Sequence, residues 1–263
     1  MGLSFVAGLL AALGHAPFGL WPVSLAGFAL MMWCVAGALP RTPGYFETRE
    51  GGRRRSAWVA WVGGVGYFAL SLSWIVEPFL VDVARHGWMA PFALVFMAGG
   101  LALFWALAGW IAGGRLLIFV VALAAAEMLR GHVFTGFPWA LPAYIWADTP
   151  VRMIASLVGP YGLSVITLFL AALPVLLRGR QSPRPLWQGT GILVLFLALA
   201  GLQGYGFLLK ASPQSSYDLG TVRLVQPNAP QDEKWDPERA HVFVERQICL
   251  LYTSDAADDP TLV

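Results

Sequence analysis

Glu127 and Arg130 are the first residues to weigh as chemistry, because two ionisable groups stand three apart at the end of an apolar run, Leu116 to Leu129. Residues three apart on a helix share a face, so the carboxylate and the guanidinium can pair there. An ionisable group within a membrane span is costly and points to function by default, although a charge pair at a helix end also serves structure alone. Asp82 and His86, four apart in the segment Glu77 to Trp88, have the spacing of two metal ligands. No third ligand stands beside them in the sequence, and no metal site is assigned. His15 lies in the Gly14 to Pro17 turn and is expected at the membrane interface rather than in catalysis. The two cysteines, Cys34 and Cys249, make neither a disulfide framework nor a zinc spacing. Cys249 has only Arg246 as a close basic neighbour, too little to create a reactive thiolate. No cofactor is expected.

A second concentration of polar residues closes the stretch Thr221 to Trp235, TVRLVQPNAPQDEKW. Val222 to Gln226 is a short apolar run bounded by Gly220 and Pro227, the pattern of a buried strand. Pro227, Asn228 and Pro230 then force a loop carrying Gln231, Asp232, Glu233 and Lys234, with Trp235 at its end. Asp232 and Glu233 read as solvated loop charges. After them, Asp236 can cap a helix with Pro237 in its first position, and Ala240, Phe243, Val244 and Ile248 form a one-sided apolar stripe.

The elements that must position these residues are set by composition. Of 263 residues, 57% are hydrophobic and 12% charged, which places the chain among membrane proteins. Its 17 basic and 15 acidic residues nearly balance, an argument against nucleic acid as a partner. About 20 apolar residues span a hydrocarbon core of about 30 Å. Seven spans are expected, at Leu3 to Leu13 (short or tilted), Leu20 to Leu39, Ala57 to Val76, Pro91 to Ala112, Leu116 to Leu129, Ile154 to Leu177 and Gly189 to Leu209. Arg41, Arg49, Arg53, Arg54, Arg55, Arg115, Arg178, Arg180 and Arg184 fall in one set of loops, against only Arg85, Arg130 and Arg152 in the other. Basic residues in short loops stay cytoplasmic, so the amino terminus is expected inside and everything after Leu209 outside. Pro40 to Ser56 reads as a solvated connector, and its Arg53 to Arg55 run could touch anionic lipid. The loop Gly131 to Pro150 holds GFPWALPAY, Gly136 to Tyr144, whose aromatics either form an interfacial belt or line the mouth of a lipid-accessible cavity.

Ordered motifs then carry a resemblance: APFGLWPVSL from Ala16, GYFALSLSWI from Gly66, EMLRG from Glu127, GFPWALPAY from Gly136, GPYGLS from Gly159 and VRLVQPNAPQDEKW from Val222. Together they resemble the apolipoprotein N-acyltransferases. The resemblance implies an α-helical polytopic membrane bundle over residues 1–210. It also implies the first strand and helix of an αββα nitrilase-like periplasmic domain over 218–247. The implied reaction moves an acyl chain from a phospholipid donor to the α-amino group of the diacylglyceryl-cysteine of a lipoprotein acceptor, through a Cys thioester with a Glu base and a Lys at the oxyanion. The implied setting is the bacterial inner membrane.

The sequence departs from that family in one respect. The family's Glu, Lys and Cys all fall beyond Val263, so no residue here is assigned as catalytic, and the chain is expected to be inactive by itself. Lys234 and Trp235 match the family's KW pair and are expected near substrate. Gln226 and Asn228 are expected to shape their loop, and Trp139, Glu127 and Arg130 are further substrate-proximal candidates. Residues 248–263 are atypical of the family and resemble translated sequencing-adapter read-through. Two other classes stay open: a membrane binding or transport protein with Glu127 and Arg130 lining a pathway, and a membrane-tethered nitrilase-type amidase.

Overall fold

The computed structural model describes residues 1–37, 49–133, 135–177, 198, 201–210, 225–226, 228–230, 233 and 236–258. All regular structure among them is helical, and seven helices exceed ten residues. They are α1 (Gly2–Ala12), α2 (Trp21–Ala36), α3 (Arg49–Ser71), α4 (Ala90–Ala112), α5 (Leu116–Arg130), α6 (Ala155–Leu177) and α7 (Ala240–Asp258). Residues 201–210 are also helical. The chain divides into one unit of Met1–Glu77 with Trp88–Ser212, and a second of Pro78–Gly87 with Pro213–Val263.

In the first unit α3 is the central post, with α1 on one side and α4 on the other. Both contacts depend on small residues. A Cβ on Gly8 would collide with the Gly63 carbonyl, and one on Gly109 would come within 2.6 Å of the Ser56 carbonyl. Such close backbone approach is how helices pack where lipid is as apolar as their side chains. Phe28, Tyr67, Phe68 and Trp105 fill the centre and are fully buried. Tyr67 stacks on Trp105 with ring centroids 4.9 Å apart. Gly159, at φ 70°, and Pro160 interrupt the start of α6, and the Pro160 carbonyl accepts from the Ser164 hydroxyl at 2.9 Å.

Two helical stretches, Val83–Ala112 and Pro150–Leu177, are long and apolar enough to cross a membrane, and the bent pair Gly51–Ser71 with Ser73–Leu80 makes a third if counted as one span. The shorter α1 and α2 are apolar as well. Of the seven spans expected, six coincide with helices to within a few residues at most ends. The last, Gly189 to Leu209, lies largely outside the described residues. The arginine connector needs correction: α3 already begins at Arg49, so Arg53, Arg54 and Arg55 are helical rather than looped. Arginine is a good helix former, which a search for apolar runs overlooks.

In the second unit, the Asp82 carboxylate accepts from the Arg85 amide and caps the turn Val83–His86. Asp236 accepts from the Glu238 amide at 2.9 Å, the cap expected there, and regular helix follows from Ala240 through Asp258. The helix therefore runs unbroken across residue 247 into the atypical tail. Of its apolar stripe Phe243 is buried, whereas Val244 and Ile248 are about half exposed. Residues 222–224 of the expected strand lie outside the described residues, and Val225 and Gln226 carry no regular structure.

Candidate functional site

The expected pairing of Glu127 and Arg130 is present, and both side chains are almost wholly buried, with Arg130 Nη2 2.5 Å from Glu127 Oε2. The Trp105 indole donates to the other Glu127 oxygen at 2.7 Å. Arg130 Nη1 donates to the carbonyls of Phe137 at 2.5 Å and Trp139 at 2.8 Å, and the guanidinium lies over the Phe68 ring at 5.1 Å. A guanidinium buried among aromatic rings requires a counter-charge and acceptors for its remaining protons. Glu127 and the two carbonyls supply them for Nη1 and Nη2, while Nε is buried without a hydrogen-bond partner among the described residues.

The reason this charge is buried lies in the segment after α5. Rather than forming only an exterior loop, the chain turns back so that Leu141, Pro142, Ala143, Ile145 and Trp146 join the core. The carbonyls of Phe137, Trp139 and Ala140 come ahead of the 3-10 turn Pro142–Trp146 and are not consumed by a helix, and in apolar surroundings each needs a donor. Arg130 serves two of them. The Tyr67 hydroxyl donates to the Ala140 carbonyl at 2.9 Å, and Ser164 Oγ accepts from the Ala143 amide at 3.2 Å. Ala140 holds φ 56°, a left-handed conformation unusual for a residue with a side chain. Trp146 Nε1 donates to the Thr167 hydroxyl at 2.8 Å.

Two further members of this cluster, His15 and Tyr67, were not expected to meet it. His15 is buried, with Nε2 2.7 Å from the Tyr67 hydroxyl. Because that hydroxyl donates onward to Ala140, the geometry is satisfied by an Nε2–H tautomer of neutral His15. His15 is thus enclosed by protein: 52 residues of chain bring Tyr67 back to it. Burial pushes the His15 pKa down to about 4. Tyr67 was visible only as part of the GYFALSLSWI motif.

The buried cluster leaves two aromatics of the same segment facing outward, Trp139, 56% exposed, and Tyr144. Trp139 meets Trp74 edge-on at 5.8 Å. Burial, with a smaller contribution from the Tyr161 phenol, raises the Tyr144 pKa above its ordinary value. Lys234 and Trp235 lie outside the described residues, while Gln226 and Asn228 are exposed, Asn228 with φ 50°. Among the described residues no three metal-ligating side chains cluster. A separate groove of about 500 Å³ runs between α4 and α5, lined only by apolar residues.

With that geometry in place, the comparisons decide the family. The profile described as "Apolipoprotein N-acyltransferase N-terminal domain" matches residues 7–173, more than half of the chain. The chain belongs to the apolipoprotein N-acyltransferase family. A protein of that name from Caulobacter vibrioides is 42% identical over 269 residues, covering 99% of this chain and 48% of the relative. Those of Brucella melitensis and Rhodopseudomonas palustris are each 34% identical and cover 98% of this chain. The chain therefore spans about half the length of the curated apolipoprotein N-acyltransferases it matches. The profile takes in His15, Tyr67, Trp105, Glu127, Arg130 and Trp139, so the whole buried cluster belongs to the amino-terminal domain of the family.

Proposed function

We propose that these residues form the membrane part of an enzyme that transfers an acyl chain from a phospholipid to the α-amino group of the diacylglyceryl-cysteine of a lipoprotein. In this reading the protein lies in the bacterial inner membrane with seven spans and a cytoplasmic amino terminus. A nitrilase-like domain begins near residue 218 on the periplasmic side, and its Glu, Lys and Cys lie beyond Val263. The bundle supplies no nucleophile; it holds a surface at the depth where both lipid-anchored substrates meet the catalytic domain.

The observation that carries this reading is the buried Arg130, whose bonds to the Phe137 and Trp139 carbonyls fix the non-helical stretch that presents Trp139, just ahead of the 3-10 turn Pro142–Trp146 that presents Tyr144. Rigid aromatic anchors suit an amphipathic ligand, because each offers a large apolar face at little entropic cost. Lys234 and Trp235 remain candidates for contact with substrate, with Gln226 and Asn228 shaping their loop.

The test is a lipoprotein acylation assay with the 263-residue chain, and with a hybrid in which the carboxy-terminal half of the Caulobacter vibrioides relative follows residue 247. The expected result is turnover by the hybrid alone, with Trp139→Ala raising its KM for phospholipid. Turnover above background by the 263 residues alone would overturn the division of labour proposed here.

A further inference from the structure

The groove between α4 and α5 lies apart from the Glu127–Arg130 cluster, and no polar side chain lines it. Its walls are Leu107, Ala108 and Ile111 of α4 and the face of α5 from Leu117 to Leu129. Alanines at 108, 122, 125 and 126 make the floor, while Leu107, Ile111, Leu117, Val121 and Leu129 stand 44–59% exposed as ridges. From Leu117 to Leu129 the helix rises about 18 Å. That is slightly more than one leaflet's share of a hydrocarbon core of about 30 Å. Its volume falls in the usual range for a ligand site, about 300–1,000 Å³.

Both walls are present only toward the turn Gly113–Arg115 that joins the two helices, because α4 contributes no residue before Leu107. Arg115 stands at that closed end, exposed, with Nε 3.5 Å from the Ala112 carbonyl and no ion pair among the described residues. The same end carries Arg53, Arg54 and Arg55. A Cβ on Gly113 would lie 3.3 Å from Arg53 Cγ, and the Arg53 guanidinium sits 5.0 Å from the centroid of Trp110. A one-leaflet apolar slot that ends at a cluster of arginines has the two features of a phospholipid with a negative headgroup: a chain to fill the slot and a charge to meet the cations.

We infer that the α4–α5 groove binds one acyl chain of an anionic phospholipid of the leaflet on the Arg115 side, with its headgroup phosphate held by Arg115. The site is distinct from the Trp139 surface, which lies beyond the opposite end of α5. It holds a resident lipid and not a substrate. The inference rests on the membrane reading of the bundle but needs no acyl transfer.

The experiment is native mass spectrometry of the 263-residue chain extracted from membranes in mild detergent, after exchange against phosphatidylglycerol or phosphatidylcholine. One phosphatidylglycerol is expected to remain bound and phosphatidylcholine to be retained less. Arg115→Gln is expected to lower phosphatidylglycerol retention about fivefold. Ala125→Phe, at an exposed position on the groove floor, should lower it about tenfold by filling the slot. Arg85→Gln removes a charge elsewhere and should change nothing. Equal retention of the two lipids, an Arg85→Gln loss as large as that of Arg115→Gln, or full retention by Ala125→Phe would each overturn the site. So would a dimer that Ala125→Phe splits without loss of lipid, since a second copy would then be the occupant. A chain recovered in the soluble fraction would remove the membrane reading with it, whereas failure of the lipid arms alone leaves the proposed function standing.

Discussion

The protein makes the same chemical contact in two settings with opposite consequences. In the bundle, Glu127 and Arg130 pair with almost no exposure, and every acceptor around them is fixed. In the second unit, Arg239 pairs with Glu233 while their side chains remain 56% and 34% exposed. Water screens the second pair and can replace either partner, so it contributes little. Nothing replaces a partner in the first. Removing either leaves a bare charge, and removing Arg130 also strips donors from the segment that carries Trp139, so there the ion pair organises backbone rather than merely adding attraction.

The largest effect expected from this contrast is that of Arg130→Ala, which should destabilise the bundle by about 3–5 kcal/mol by leaving Glu127 buried and unpaired. Chemical unfolding in detergent checks it, and the double variant Glu127→Ala/Arg130→Ala should be less damaged than the sum of the single ones. Losses that simply add would break the contrast.

His15 sharpens it through pH. Its folded pKa of about 4 lies below the ordinary 6.5, so the unfolded chain takes up a proton first as the solution is acidified. Stability should be unaffected by this group above pH 6.5 and fall by about 3 kcal/mol between pH 6.5 and 4. His15→Gln should remove that slope from the stability profile. Tyr67→Phe deletes the hydroxyl between His15 and the Ala140 carbonyl, and about 1–3 kcal/mol should go with it. At the other extreme, Arg239→Ala should move the unfolding midpoint by less than about 0.5 kcal/mol. A loss comparable to that of Arg130→Ala would show that exposure does not separate the two pairs.

Part of this site was legible in the chain. The three-residue spacing of Glu127 and Arg130 places both on one helical turn, and the helix obeys that local rule. Most of the apolar helices were legible for the same reason, since a run of apolar residues needs no distant partner to become one. The partners of the pair were not legible. Phe137 and Trp139 meet Arg130 only because the chain turns back into the core after α5, and Trp105 meets Glu127 only because α4 packs against α5. A sequence of aromatics and prolines such as GFPWALPAY is equally consistent with a surface belt. The partner of His15 was hidden for a related reason: nothing in the Gly14 to Pro17 turn announces Tyr67, which closes over it from another helix. The start of α3 was missed because the search followed apolar residues while the helix continued through arginines.

One consequence follows from α1. At eleven residues, or about 16 Å, it is roughly half as long as a bilayer's hydrocarbon core is thick, yet close backbone contact at Gly8 pins it to α3. Pinned in this way, it could not tilt or slide to reach both headgroup layers of the bilayer proposed above, and in that setting the membrane has to adjust to the protein. Lipids around that corner must dip and their chains must disorder to cover it. The first helix is then a lever on bilayer thickness, drawing headgroups and ester bonds below their usual plane at one edge of the bundle.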